Sequence, residues 1–294
     1  INSIVKSREI NSPSAREIKK FARLRSRNWE IIVVDNHSQD NTVTWLKKYI
    51  RTSAKIRSKI GVNLSLIVNN DNTGFAKANN QALRVIRARY VLLLNPDMLV
   101  EPDTLVKMLA WADANPQATV MGCHLVTETG ETLLHVRRFP TLWDQLAIVL
   151  KLPHFLPHIL DKYLRTDFDY SQAAPVDSIR GGFFWIRADA NGQVPLLDER
   201  YFIWFEEVDY CRQTKLSGGQ VWYTPAANCL DYVGQSFKQV KRGRTQTYFR
   251  QSMIKYFAKW EPRWQSYLLR LAWPIGASLA IIGEKLNWQG RAKT

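Results

Sequence analysis

The chain has 294 residues, of which 46% are hydrophobic and 23% charged. That is enough apolar side chain for a cooperative core and excludes a disordered chain, while the length suits one large α/β domain or two small ones. The net charge is +15, placed unevenly: residues 1–60 carry a net +9, residues 235–294 a net +10, and the middle of the chain −4. Basic ends around an acidic centre fit a protein that rests on an anionic surface and keeps carboxylates in a working cleft, or simply a solubilising surface. Cys123, Cys211 and Cys229 are too few and too scattered for a disulfide framework or a zinc knuckle, and read as buried thiols of a reducing compartment. Ile1 in place of Met, with no secretory leader behind it, reads as a processed or truncated start.

Ser12-Pro13 predicts a helix start, with apolar residues at helical spacing up to about Arg25. The run Ile31-Ile32-Val33-Val34 predicts a strand buried on both faces, stopped by the turn formers Asp35-Asn36. A helix with Val43, Leu46, Tyr49 and Ile50 on one face follows. Then come a strand over 64–68, a helix over 75–86, a strand over 90–94, a helix over 102–112 and a strand over 119–123. This alternation predicts an α/β fold whose sheet is mostly parallel, with helices on both faces. Beyond residue 123, Thr129-Gly130 reads as a hairpin turn, and residues 141–164 are apolar and interrupted by Pro153 and Pro157. Strands over 179–186 and 221–223 flank a helix over 206–216 that Gly218-Gly219 ends. The simplest division is one domain over 1–234 and a basic, aromatic-rich helical tail over 235–294.

Three stretches follow predicted strands: Val33-Val34-Asp35-Asn36-His37-Ser38, Asn72-Thr73-Gly74-Phe75-Ala76-Lys77-Ala78-Asn79-Asn80, and Leu92-Leu93-Leu94-Asn95-Pro96-Asp97. Ligands of open α/β sheets bind beyond the carboxyl ends of strands, so these loops are expected to converge. A fourth stretch, from Phe202 to Tyr210, opens the late helix and crowds Glu206, Glu207 and Asp209 into about one turn. Mutual repulsion there exceeds what the helix dipole offsets, which points either to a site or to an acidic cap on a surface helix.

In this order and spacing, with Asp198-Glu199-Arg200-Tyr201-Phe202 ahead of the acidic pair and Gly234-Gln235-Ser236-Phe237 behind it, the chain resembles family 2 glycosyltransferases of the GT-A fold. The rhamnosyltransferase-like and galactofuranosyltransferase-like branch is the nearest, and the resemblance covers roughly residues 10 to 260. It implies an inverting, metal-dependent transfer of rhamnose or a similar hexose in cell-envelope polysaccharide synthesis. The donor would be a dTDP- or UDP-sugar and the acceptor a saccharide or lipid-linked saccharide. Asp35 at a strand end would accept hydrogen bonds from the pyrimidine, unless it is a turn carboxylate capping the next helix. Asn36, Asn72, Gly74, Asn79, Asn95 and Asp97 would complete the nucleotide-sugar pocket. Gly74 permits close backbone approach at a helix N-terminus, which favours phosphate or sugar oxygens. Asn95-Pro96-Asp97 resembles the family's Asp-x-Asp variant, with Asp97 holding Mg²⁺ or Mn²⁺; as an alternative, Pro-Asp starts a helix. Glu207 aligns with the general base that takes the acceptor's proton. Arg180, Gly181, Gly182, Glu206 and Asp209 would face the acceptor, though the glycines alone also fit a strand bulge.

Two positions depart from the family pattern. Lys6, Arg8 and Glu9 stand in the place of its apolar first strand, and Tyr232 stands where it has a metal-binding histidine. Neutral tyrosine is a poor ligand for Mg²⁺ or Mn²⁺, which leaves Asp231 as the stand-in. These departures carry the alternative reading, a relative that binds nucleotide-sugar or glycan without turnover. A nucleic-acid partner rests on charge alone and has no recognised motif behind it.

In the tail, Phe249, Met253, Tyr256 and Phe257 share one side of a helix over 248–260, and residues 271–283 are uncharged but too short to span a bilayer. The expectation is a helix lying on the inner face of the cell membrane. Trp260, Trp264, Trp273 and Trp288 would sit at headgroup depth, with the basic residues on anionic lipid. Packing of the helix against the catalytic domain is the alternative.

Overall fold

In the computed structural model, which describes residues 29–232 and 242–285, the run around Ile31–Val34 is the centre of strand β1 (Trp29–Asp35). It pairs in parallel register with β2 (Val62–Val68), Asp35 opposite Val68. Between them lie α1 (Thr42–Thr52), whose Leu46 is buried, and a short helix α2 (Ala54–Ile60) that Gly61 ends at φ 67°. Helix α3 (Phe75–Leu83) leads to β3 (Tyr90–Leu94), and β4 (Met98–Val100) precedes α4 (Thr104–Ala114) and β5 (Ala118–Val126). The predicted first strand, the helix after Ser12, the Gly234–Phe237 stretch and Trp288 lie outside the described residues.

The α/β class holds, but the sheet is mixed rather than mostly parallel. Six strands pair in the order β3-β9-β5-β10-β4, with β7 on the side of β10. Here β7 is Ala174–Val176, β9 Phe183–Arg187 and β10 Gln220–Asp231. Only β5 and β10 run parallel in this sheet; β9 enters antiparallel between β3 and β5, and β4 antiparallel at the edge. The chain also changes character after residue 123. Gly130 turns at φ 83°, Val126 bridges Thr132, and β6 (Val136–Arg137) runs antiparallel to β8 (Ser178–Ile179).

Side chains alternate across the sheet, so each strand feeds two cores. On one face Val91, Leu93, Val120, Phe184 and Ile186 pack with α3 and with α7 (Glu206–Leu216). On the other, Met121, Cys123, Phe183 and Trp185 pack with Met108, Leu109 and Ala112 of α4. Burying one such side chain stabilises the fold by about 1.5–3 kcal/mol. All three cysteines are free and buried, as expected.

Residues 141–164 fold as α5 (Leu142–Val149), two 3₁₀ turns that each carry a proline in their first two positions, and α6 (Asp161–Leu164). Thr141 and Asp144 form a reciprocal capping box on α5, an arrangement worth about 1 kcal/mol. A third core joins α5 to α8 (Arg242–Trp260) and α9 (Arg263–Lys285) around Tyr201, Phe205, Met253, Tyr256, Phe257 and Leu269. The face of α8 expected on a membrane is thus covered by the rest of the protein. Among the described residues no helix is long and apolar enough to cross a membrane.

Candidate active site

Asp35 ends β1 almost buried, 4% exposed, and its Oδ2 accepts the Ser38 amide at 3.0 Å. Asn36 ties the loops after β1 and β2 together. Its Nδ2 donates to Asn72 Oδ1 at 2.9 Å and to the Gly74 carbonyl at 3.2 Å. Its Oδ1 accepts from Asn69 Nδ2, from the Thr73 amide and from the Thr73 hydroxyl. Asn72 in turn accepts the Gly74 amide. Both side chains are engaged in shaping the two loops.

Gly74 has φ +88°, and an added Cβ would stand 2.6 Å from the Phe202 carbonyl oxygen, which also accepts the Phe75 amide. One close backbone approach that glycine permits here is thus made by Phe202. Asn79 bonds the Phe75 carbonyl of its own helix. Its neighbour Asn80, not singled out from the sequence, is fully buried and pins α3 to the Leu197–Glu199 segment by three hydrogen bonds. A buried amide bonded across such a separation has no local signature.

The turn Arg180-Gly181-Gly182 between β8 and β9 brings the other predicted residues together. Arg180 Nη1 pairs with Asp231 Oδ2 at 3.0 Å. A Cβ on Gly181 would stand 3.3 Å from the Cβ of Glu207, so glycine is what lets this acid approach the turn. The Gly182 carbonyl accepts the Asn95 amide at 2.9 Å. Asp97 lies beside the end of β10, its carbonyl accepting the Tyr232 amide at 3.0 Å. Asn95, Asp231 and Glu207 thus meet around one three-residue turn, and the Asp97 backbone is joined to it through the end of β10. Asp35 is linked to it at second hand, through Asn36, Gly74 and Phe202.

Glu206 and Glu207 begin α7. Glu206 is 4% exposed and Glu207 partly buried; the Oε2 of each is out of solvent with no hydrogen-bond partner among the described residues. Burial, reinforced by the charge of Glu207, pushes the Glu206 carboxyl well above the usual carboxylate range. Glu207 is raised by burial as well, with backbone hydrogen bonds and Arg180 drawing it back. Paired acids whose proton affinities are displaced by burial and by each other are candidate functional groups. The turn into them is strained: Trp204 and Phe205 hold φ of 65° and 69°, each costing of order 1–3 kcal/mol. Their rings pack on Phe249, and that of Phe205 also on Tyr256, which holds the turn in place. Tyr163, which the sequence did not mark, feels Glu207; its phenol is pushed up to about 12, chiefly by burial, with the charge of Glu207 adding to it.

Asp209 is not an acceptor ligand. It is fully buried, and its carboxylate accepts from Tyr201 Oη, Gln213 Nε2, Lys259 Nζ and Trp260 Nε1. With four donors around it and no solvent access, it anchors α7 to α8. The same contact places Trp260 against α7 rather than at headgroup depth.

Among the described residues no three His, Cys, Asp or Glu side chains gather as a metal cage. Mg²⁺ and Mn²⁺ at nucleotide sites take one or two carboxylates and complete their shell with phosphate and water oxygens. Asp97 and Asp231, brought to one strand end, fit that pattern.

The overall fold matches a mannosyltransferase from Pyrobaculum calidifontis, solved with GDP-Man and Mn²⁺, at a TM-score of 0.50 and 16% identity, covering 94% of this chain and 73% of that one. It is the GT-A fold. The rhamnosyltransferase WbbL of Escherichia coli is 27% identical over 54% of this chain, which spans 61% of that protein's length. The N-acetylglucosaminyl-diphospho-decaprenol L-rhamnosyltransferase of Mycobacterium tuberculosis is 23% identical over 74% of both chains. The family model for glycosyl transferase family 2 matches residues 15–174, more than half of the sequence. The chain belongs to glycosyl transferase family 2.

Proposed function

We propose that this glycosyltransferase moves rhamnose or a similar hexose, with inversion, from a dTDP- or UDP-sugar to a saccharide or lipid-linked saccharide of the cell envelope. One observation carries the reading: Glu206, buried, and Glu207, partly buried, each with an Oε2 out of solvent and without a partner among the described residues, held by a strained turn near Asp231. A base works best when its affinity for protons lies near the working pH, and burial moves Glu207 upward from the ordinary carboxylate range. Glu207 takes the acceptor hydroxyl's proton as that oxygen bonds to the anomeric carbon. The bond from that carbon to the diphosphate oxygen breaks on the opposite face, and its electron pair leaves with the diphosphate. Glu206, buried beside it, raises the proton affinity of the pair. Arg180 and the two glycines form the wall where the acceptor approaches, Asp35 meets the base, and Asn36 and Asn72 keep the loops around it in shape. Asp97 with Asp231 would hold Mg²⁺ or Mn²⁺, which supplies positive charge to the departing diphosphate.

The placement we favour is peripheral, on the inner face of the cell membrane. Trp264, Leu268, Leu271 and Ile275 recur at helical spacing along α9 and are 40–70% exposed, with Arg263 and Arg270 on the same helix. A stripe of that kind suits an interfacial helix. The test of the chemistry is Glu207→Gln: diphosphate release should fall about 10²–10⁴-fold with donor binding unchanged, and the product's anomeric configuration, read by NMR, should be opposite to the donor's. Unchanged release removes Glu207 from the role.

A further inference from the structure

Protein interiors hold few voids larger than a water molecule. One such void borders the turn that leads into the acids. Val149 of α5, Trp204, Phe249 of α8, and Trp273 and Ala277 of α9 line a recess of about 290 Å³. The helices around it are tightly set: a Cβ on Gly276, on the same wall, would overlap the Val149 carbonyl oxygen. Contact that close beside a recess marks a shaped cavity rather than slack packing. Lys151, Trp204 and Ala277 are only half-buried, so the recess opens at the surface.

A sugar or a nucleotide needs several convergent polar groups, and this volume is at the small end for ligand sites. The largely apolar wall, with Thr245 and Gln246 as its uncharged polar residues, suits a length of hydrocarbon chain, which apolar cavities take up. Among the described residues the only charged residue on the wall is Lys151, and behind the wall the Arg250 guanidinium lies 5.4 Å from the centre of the Trp273 ring. Cations there, with no acid on the wall, favour an amphiphile whose head is anionic. Trp204 is the link to the chemistry. It stands in the left-handed turn before α7, and Glu207 follows three residues on, a span of at most about 11 Å.

We propose that the recess receives the hydrocarbon chain of the acceptor, so that the accepting sugar is carried on a lipid and is presented to Glu207 from beside Trp204. This rests on the transfer reading given above and chooses between its two acceptor classes.

The experiment uses the full chain. Decyl phosphate brominated at its tail is titrated in, with inorganic phosphate as the chain-free control, and binding is followed by calorimetry and by quenching of tryptophan fluorescence, since Trp204 and Trp273 stand on the wall. Ala277→Phe fills the recess and should weaken decyl phosphate about tenfold or more; Ala277→Leu, a smaller filling, should act in the same direction, with Tm checking that both variants are folded. Leu271→Glu with Ile275→Glu, on another face of α9, should leave this binding unchanged. Turnover is then compared for decyl and methyl glycosides across a panel of dTDP- and UDP-sugars. The decyl glycoside should have a kcat/KM about tenfold higher or more, and Ala277→Phe should erase the difference. Quenching that survives both fillings places the chain elsewhere and overturns the inference. If decyl phosphate binds in the recess yet the two glycosides are used equally well, the recess holds a membrane lipid instead, and the inference fails while the transfer reading stands. Absence of turnover with every donor and glycoside overturns the transfer reading and this inference with it.

Discussion

Replacing Lys259 by Met tests whether the C-terminal helices are part of the catalytic body. The ammonium lies 2.8 Å from Asp209 Oδ2 and 2.9 Å from Asp198 Oδ2; its side chain is 20% exposed, and those of the two acids 0% and 12%. Asp198 keeps a second cation in Arg200, which is the main cause holding its carboxyl well below the usual range. Asp209 keeps Tyr201, Gln213 and Trp260 as donors and, among the described residues, the more distant charge of Arg200. Stranding a buried carboxylate in this way costs about 3–5 kcal/mol, and the three remaining donors favour the lower end. For a chain of this size each kcal/mol lowers Tm by about 2–4 °C, so a fall of roughly 6–12 °C is expected by calorimetry. Adding Asp209→Asn to Lys259→Met should recover part of the loss, since the buried charge is then gone. A fall below about 2 °C, or a double variant no better than Lys259→Met alone, would refute the reasoning.

The acidic pair gives a pH-dependent expectation. Glu206 has its folded affinity for protons raised, so its contribution to stability is greatest below the unfolded carboxylate range and is lost as pH rises through the folded value. Glu206→Gln should therefore be more stable than the wild type at pH 7–8, with the difference vanishing below about pH 4 in thermal melts across pH. Gly74→Ala meets both a positive φ and the Phe202 carbonyl, so a loss of at least about 1–3 kcal/mol is expected in urea unfolding. Placing negative charge on the apolar α9 stripe, Leu271→Glu with Ile275→Glu, should reduce co-sedimentation with anionic vesicles several-fold at unchanged Tm, since both residues are more than half exposed.

The elements that periodicity alone defines were legible: β3 and α7 have the predicted bounds, and β1 and α1 differ by only a few residues. What sequence spacing could not show was partner choice. Strand β10 runs over twelve residues where three were predicted. In the fold, Pro225 sits in a bulge between the Tyr223 and Asn228 pairings, where no ladder amide is needed. The short β4 was missed for want of length, and its antiparallel sense is set by β10, more than a hundred residues later. Asp209 reads like Glu206 and Glu207 in sequence; only the arrival of Lys259 and Trp260 from α8 turns it into an anchor. Likewise the apolar side of α8 was plain, while the surface that covers it was not.

The two left-handed residues ahead of Glu206 give the C-terminal helices a role that their distance in sequence conceals. An aromatic pair has no preference of its own for that backbone; Phe249 and Tyr256 keep it there. Shortening the chain to residue 234 would leave most of the sheet's contacts untouched yet let this bend relax toward ordinary helix, carrying both acids out of alignment with the glycines. The helical hairpin is in this sense a clasp on a drawn spring, and catalytic competence is expected to disappear on truncation well before solubility or secondary structure does.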